Sequence, residues 1–280
     1  MESCIVAIAK NEELYLKDWI DYHKNLGFNH IFIIDNNDEN INTQFEICKN
    51  LNVKIFDMRG RETVRNYGNQ QGVYAAIYDF IKDNFPDIKW ICYIDIDEYL
   101  NLDGKFINEF LEQEKFNDVD LIHFNWKCYG DNNYVYYEPR PVIERFTEPL
   151  PFDAMYENIY IPDNIYLNMH VKSILKVSNK IPFFSSVHTV EFKEEDHAKC
   201  VDVNGDISDY RLSWQPICYR GGHIKHFITK STEEFCKRRL MDNPRIDGDL
   251  KRDKNIEINN YFSVNVKTYS KIKLIEQYLK

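Results

Sequence analysis

The chain has 280 residues, 44% hydrophobic and 29% charged, which suits one large α/β domain or a domain with a substantial extension. Forty-five acidic residues against 35 basic ones give a formal charge of −10, the wrong balance for a general nucleic-acid binder, which needs a basic face. The seven cysteines, Cys4, Cys48, Cys92, Cys128, Cys200, Cys218 and Cys236, form no Cys-x-x-Cys pair and fit reduced thiols better than a disulfide framework.

Cys4 to Ala9 is a compact apolar run and reads as a first strand. Glu12 to Leu26 reads as a helix with Leu16, Trp19, Ile20, His23 and Leu26 on its inward stripe, and Gly27 stands where a terminating glycine belongs. His30 to Ile34 is a second strand, running into Asp35-Asn36-Asn37-Asp38. A short helix near 43–50 precedes a third strand, Val53 to Phe56. Gly72 to Phe85 is helical, Trp90 to Ile94 is a fourth strand and Asp120 to Trp126 a further one. This alternation predicts an α/β fold, a doubly wound, mostly parallel, Rossmann-like sheet.

After residue 126 the pattern is irregular. Tyr134 to Tyr137, Pro139, Pro141, Pro149 and Pro151 suggest long loops. Ser231-Thr-Glu-Glu234 fits a capping box opening a helix through about Met241, and Ile272, Ile275 and Leu279 share a helical face that suits docking to the core. The chain reads as a single domain over 1–280, with a ligand-binding half over 1–126 and an elaboration over 127–280. Neither a signal peptide nor a run of roughly 20 apolar residues is evident, so the expected location is cytoplasmic, with room for peripheral contact at the inner membrane.

The most informative segment is Ile91-Cys-Tyr-Ile-Asp-Ile-Asp-Glu98, an apolar strand ending in three carboxylates, Asp95, Asp97 and Glu98. Like charges raise one another's pKa unless a cation intervenes, and a hard divalent ion on oxygen ligands would relieve the repulsion while itself holding a phosphate. Acidic clusters after strands also serve as helix caps and solvated turns. An aspartyl phosphatase also places Asp-x-Asp after a strand, but with Thr two residues on, where this chain has Tyr99. Asn11, Glu12, Asp35, Asp95 and Asp97 all follow strands, so a parallel sheet would gather them along one rim, where ligands of such sheets bind.

The runs IVAIAKNEELYLKDWIDYHKNLGFNHIFIIDNNDE, WICYIDIDEYL, VIERF and HIKHFITKSTEEF closely resemble glycosyltransferase family 92, in order and across roughly residues 3–241. The resemblance implies a GT-A fold, a nucleotide-sugar donor of the UDP-sugar type, a divalent cation such as Mn²⁺ or Mg²⁺, and inversion at the anomeric carbon; galactosyl transfer is known in the family. With it, Asp97 and Asp95 become the expected metal ligands, Asp95 directly or through ribose and water. His188 and His226 are alternatives for a third ligand, with His223 a weaker one, and Lys230 is placed to neutralise the departing diphosphate. Asn11, Glu12 and Asp35 are placed for the nucleotide, Arg65 and Gln71 for base or diphosphate. Glu144 is the expected general base for the acceptor hydroxyl, against a structural Glu144–Arg145 pair, with Asp153 and Glu157 as alternatives.

Trp126 and Tyr129 suit either an acceptor subsite or the core; aromatic residues are 15% of the chain, and for most of them packing is the commoner use. The expected partners are therefore a nucleotide sugar and a glycan acceptor, as in capsule or lipopolysaccharide synthesis. The competing readings are a non-catalytic carbohydrate-binding protein and a nucleotidyltransferase, although Ala9-Lys10-Asn11-Glu12 lacks the glycine-rich loop usual for the latter.

Overall fold

The computed structural model describes residues 1–60, 70–156, 165–241 and 253–280. Its first half is a layered α/β unit. Strands β1 (Glu2–Ala9), β2 (His30–Asp35), β3 (Lys54–Asp57) and β4 (Ile88–Tyr93) are parallel and lie in the order β3-β2-β1-β4. Successive side chains of a strand point to opposite faces. Thus Ile5, Ala7 and Ala9 join Trp19 and Ile20 of helix α1 (Glu13–Asn25) in one core. Cys4, Val6 and Ile8 join Val73, Tyr74 and Ile77 of helix α3 (Gln70–Asn84) in another. Both faces are covered, which is why β1 reads as an unbroken apolar run. Helix α2 (Thr43–Asn50) connects β2 to β3.

Helix α1 ends as its sequence predicts. Gly27 has φ +98°, its N–H donates to the Lys24 carbonyl (3.0 Å) and that of Phe28 to the His23 carbonyl (3.3 Å), a Schellman closure that needs a left-handed residue. Trp19, fully buried, anchors the helix on the sheet; truncating such a side chain to Ala costs about 3–5 kcal/mol.

The second half is more regular than its sequence suggests. Strand β7 (Val171–Lys176) is antiparallel to both β4 and β6 (Leu121–Tyr129), so the sheet runs on past β4. Beyond β6 come β9 (His223–Phe227), parallel to β6, and β5 (Glu98–Asn101), antiparallel to β9; β8 (Cys200–Asp202) also pairs with β6. The expected loops over 127–280 thus contain strands β7, β8 and β9. Short helices α4 (Ile107–Leu111) and α5 (Val142–Arg145) flank β6 in sequence. The capping box forms as expected: Ser231 Oγ accepts from the Glu234 amide and Glu234 Oε2 from that of Ser231. It opens helix α6 (Thr232–Phe235), which runs into a π turn over Cys236–Leu240. Helices α7 (Lys254–Val264) and α8 (Tyr269–Tyr278) close the chain, with Ile275 packed against the π turn. All seven cysteines are free. No helix among the described residues is long and apolar enough to cross a membrane.

Candidate active site

A cavity of about 560 Å³ opens at the carboxyl ends of β1 and β4. The chain order reverses direction between these two strands, which is where open α/β sheets bind ligands. Lys10 to Tyr15 line it after β1, Asp95 and Ile96 after β4, Gln70 at the start of α3, and Thr229, Lys230, Glu234, Lys237 and Arg238 from the segment after β9. Two lining residues, Asn11 (φ +56°) and Lys230 (φ +55°), hold left-handed backbone without being glycine. For Lys230 this costs on the order of 1–3 kcal/mol, and it turns the chain from β9 into the α6 cap.

The acidic turn is fixed from behind. The indole N–H of Trp19 donates to the carbonyls of Glu98 (2.8 Å) and Asp95 (3.1 Å). The Asp95 amide donates to Glu98 Oε2 (2.8 Å). His23 Nε2 accepts from the Leu100 amide (3.3 Å) while its Nδ1 faces the Trp19 carbonyl (2.8 Å); burial lowers its pKa to about 3, so it stays neutral. Lys172, itself fully buried, places Nζ 2.9 Å from Asp95 Oδ2 and 3.5 Å from Glu98 Oε2. Burial nonetheless pushes the Glu98 carboxyl well above its ordinary range, because Lys172 only partly offsets it.

Asp97 is bound differently. Its Oδ2 accepts from the Arg238 guanidinium and lies 3.7 Å from His226 Nε2. Burial would raise its pKa, but Arg238 and His226 hold it well below the usual carboxylate range. Arg238 also reaches to 4.0 Å from Glu12 Oε1. Lys230 is 2% exposed; among the described residues its Nζ has no hydrogen-bond partner, and it sits 4.3 Å over the Tyr15 ring. Tyr15 in turn donates to Glu234 Oε1 (2.8 Å), and Arg145 grips both oxygens of Glu234 (2.7 and 2.9 Å).

Sequence reasoning brings Asn11, Glu12, Asp95 and Lys230 to the cavity, and the structure lines it with all four. Asp97 stands behind Arg238. Asp35 is 1% exposed and belongs to a network under the rim: its Oδ1 accepts from Gln44 Nε2 (2.8 Å) and the Asn37 amide (3.0 Å), and Asn37 Oδ1 accepts from the Asn11 amide (2.8 Å). Gln70, one residue before the expected Gln71, lines the cavity and approaches Asp95 Oδ1 (3.4 Å). Arg65 and Glu157 lie outside the described residues.

His226 meets Asp97, but His188 faces the Val171 carbonyl (3.1 Å) and packs against Trp126, and neither histidine lines the cavity. Trp126 contacts His170, His188 and His226, while Tyr129 packs on Phe227 in the core. Glu144 and Asp153 are exposed and line no part of the cavity. The alternative of a structural Glu144–Arg145 pair gives way to Arg145–Glu234, because a four-residue helix turns the two side chains apart. The residues that sequence reasoning missed are Lys172, Arg238, Tyr15 and Glu234.

The expected metal site does not fit this arrangement. Asp95 and Asp97 are engaged by Lys172 and Arg238, and among the described residues no three His, Cys, Asp or Glu side chains form a group able to hold a metal ion.

No family model matches the chain, and no curated protein matches it. Among solved structures it is similar to the crystal structure of mannosyl-3-phosphoglycerate synthase from Rubrobacter xylanophilus, at 12% identity and a TM-score of 0.31. The match covers 51% of this chain and 44% of that chain, so less than half of the neighbour's length is spanned.

Proposed function

We propose that the chain is a nucleotide-sugar-dependent glycosyltransferase that moves a hexose from a nucleoside diphosphate to a hydroxyl acceptor. The observation that carries this reading is the cavity at the β1/β4 switch point with a buried, unpartnered ammonium, Lys230, beside the Arg238 guanidinium and the carboxylates of Glu12 and Asp95. Cations there suit a diphosphate, and carboxylates suit ribose or sugar hydroxyls. Tyr15 and Tyr137 add aromatic faces to the same wall.

In the reaction the acceptor oxygen forms a bond to the anomeric carbon as the bond from that carbon to the β-phosphate oxygen breaks. The electron pair leaves with the nucleoside diphosphate, and the acceptor proton passes to a base. Lys230 and Arg238 would stabilise the charge that grows on the leaving group. UDP as the carrier, a hexose such as galactose and inversion follow from the resemblance and belong to the proposal, as does a glycan acceptor of capsule or lipopolysaccharide type, held on a lipid at the inner membrane. The Mn²⁺ or Mg²⁺ of the family is left out of it, since Arg238 and Lys172 face the aspartates that would hold it. Glu144 as base is left out too, since it does not reach the cavity.

The test is a panel of nucleotide sugars read by thermal shift and by released nucleoside diphosphate. Stabilisation and slow hydrolysis with one donor is the expected result. Binding without any turnover on a range of acceptors would favour the non-catalytic reading. Pyrophosphate release from a nucleoside triphosphate and a sugar phosphate would favour a nucleotidyltransferase.

A further inference from the structure

We propose that Arg238 and Lys230 together take the place of a divalent cation at this site, so that the diphosphate of the donor binds without metal. This rests on the nucleotide-sugar reading above and deepens it.

Four carboxylates gather here, and each already faces a cation of the protein: Asp95 and Glu98 share Lys172, while Asp97 and Glu12 share Arg238. The repulsion that makes an acidic turn call for a metal is relieved by two side chains brought from β7 and from the π turn.

Asp97 is 3% exposed and does not line the cavity, whereas the Arg238 side chain is 36% exposed and does. What the cavity meets at Asp97's position is therefore a guanidinium. Arg238 lies at the centre of the π turn over Cys236–Leu240, a distortion that recurs at functional sites. A guanidinium carries five N–H donors in a planar fork, more than Asp97 and Glu12 use, and the fork matches phosphate oxygens. The Lys230 ammonium is buried in the cavity wall and, among the described residues, has no hydrogen-bond acceptor; an unpaired buried charge is costly. The costly backbone at φ +55° and the unpaired charge coincide in one residue, and a diphosphate would give that charge its acceptor. Arg238 binds the phosphates as a bidentate donor and Lys230 as a point charge.

The test is binding of UDP, GDP and ADP to the full chain by calorimetry, in a chelator and then in Mn²⁺, without reference to turnover. Expected is one nucleoside diphosphate that binds in the chelator within about threefold of its affinity in Mn²⁺, with Lys230→Met and Arg238→Met each weakening it about 10- to 100-fold. Arg238→Met leaves Asp97 buried and unpaired; if it does not fold, the double variant Asp97→Asn with Arg238→Met removes both charges and carries the same expectation. Binding that appears only with Mn²⁺ overturns the inference and leaves the glycosyltransferase reading standing. So does full affinity in the chelator after loss of Arg238 or Lys230. No binding of any nucleoside diphosphate, with or without metal, overturns both.

Discussion

Two buried clusters of charge lie in this molecule, and they are built from the same kinds of residue to different ends. In the cluster around Asp131, at the C-terminal helices, the charged groups are matched. Asp131 accepts from Lys271 Nζ (2.6 Å), from the Tyr261 hydroxyl and, through Oδ1, from the Asn133 amide (2.8 Å). Lys271 also donates to the Val266 carbonyl (2.9 Å), and Asn265 holds the Asp131 amide (2.6 Å) and the Tyr261 carbonyl (2.9 Å). At the cavity, among the described residues, Glu12 Oε2 and Lys230 Nζ of the lining are buried without hydrogen-bond partners, as are Asp35 Oδ2, Glu98 Oε1 and His226 Nδ1 behind it. Buried polar atoms are normally paired. The first cluster is complete within the chain and fastens α7 and α8; the second stays open at Glu12 and Lys230, where the nucleotide sugar proposed above would meet it.

The sharpest way to break this contrast is to strike the complete cluster. Lys271→Met strands Asp131 with its carboxylate buried, and should cost about 3–5 kcal/mol of stability in urea unfolding. A loss below about 1 kcal/mol would mean that the helices are held by Ile275 and its apolar neighbours alone. Glu234, between the clusters, comes next. Burial would raise its carboxyl, but the Arg145 fork and the Ser231 side chain pull it from 4.5 to about 2. A depressed folded pKa gives stability that is present above the unfolded value and lost as pH falls through the folded one. Between about pH 4.5 and 2 this group should therefore cost on the order of 3 kcal/mol. Glu234→Gln should remove that part of the acid limb; an unchanged acid profile would show that the Arg145 pair is not what fixes the cap.

Much of the first cluster of elements is legible in the sequence because burial and local signals agree there. Residues 4–9 are apolar on both faces and lie in a sheet covered on both faces, Gly27 closes a helix, and Ser231 and Glu234 cap one. The acidic turn announces itself for the opposite reason, as charge where an apolar strand ends. The counter-charges do not. Lys172 sits at an inward position of β7, where Val171-Lys-Ser-Ile-Leu-Lys176 shows a surface-like mixture because two inward residues, Lys172 and Ser173, are polar. Arg238 lies in Lys237-Arg-Arg239 and reads as a solvated run. A carboxylate cluster states that cations must come, but sequence spacing does not state from where, since Lys172 is 77 residues from Asp95 and Arg238 is 141 from Asp97. The resemblance pointed to a metal at these carboxylates; in the structure Lys172 and Arg238 face them.

A smaller effect with the opposite sign should come from the incomplete cluster. Lys230→Met removes an unpartnered buried ammonium, so the variant should be more stable than the parent by about 1–2 kcal/mol at neutral pH. Burial, and then Arg238, lower the Lys230 pKa. The penalty is thus full below the folded pKa and fades as pH rises toward the unfolded value of 10.5, and the gain should shrink in the same direction. A variant that is destabilised at pH 7 would mean that Lys230 has a structural partner and does not wait for an anion.

The smallest expected effect tests the outer edge of the site. Glu144 and Arg145 are neighbours in one short helix, yet Arg145 is 2% exposed and clamps Glu234 while Glu144 points to solvent. Glu144→Gln should change stability by less than about 0.5 kcal/mol, as surface substitutions do, and should leave the affinity for the nucleoside diphosphate and the rate of donor hydrolysis as they are. Donor hydrolysis uses water as acceptor, so transfer to a sugar acceptor is the more searching readout. If Glu144→Gln kept its stability and its diphosphate affinity but lost transfer, the acceptor subsite would extend from the cavity past Tyr137, over whose ring Arg145 stacks at 5.3 Å, to the exposed face of α5. The base would then stand on the one residue of that helix that packing leaves free to meet a mobile acceptor.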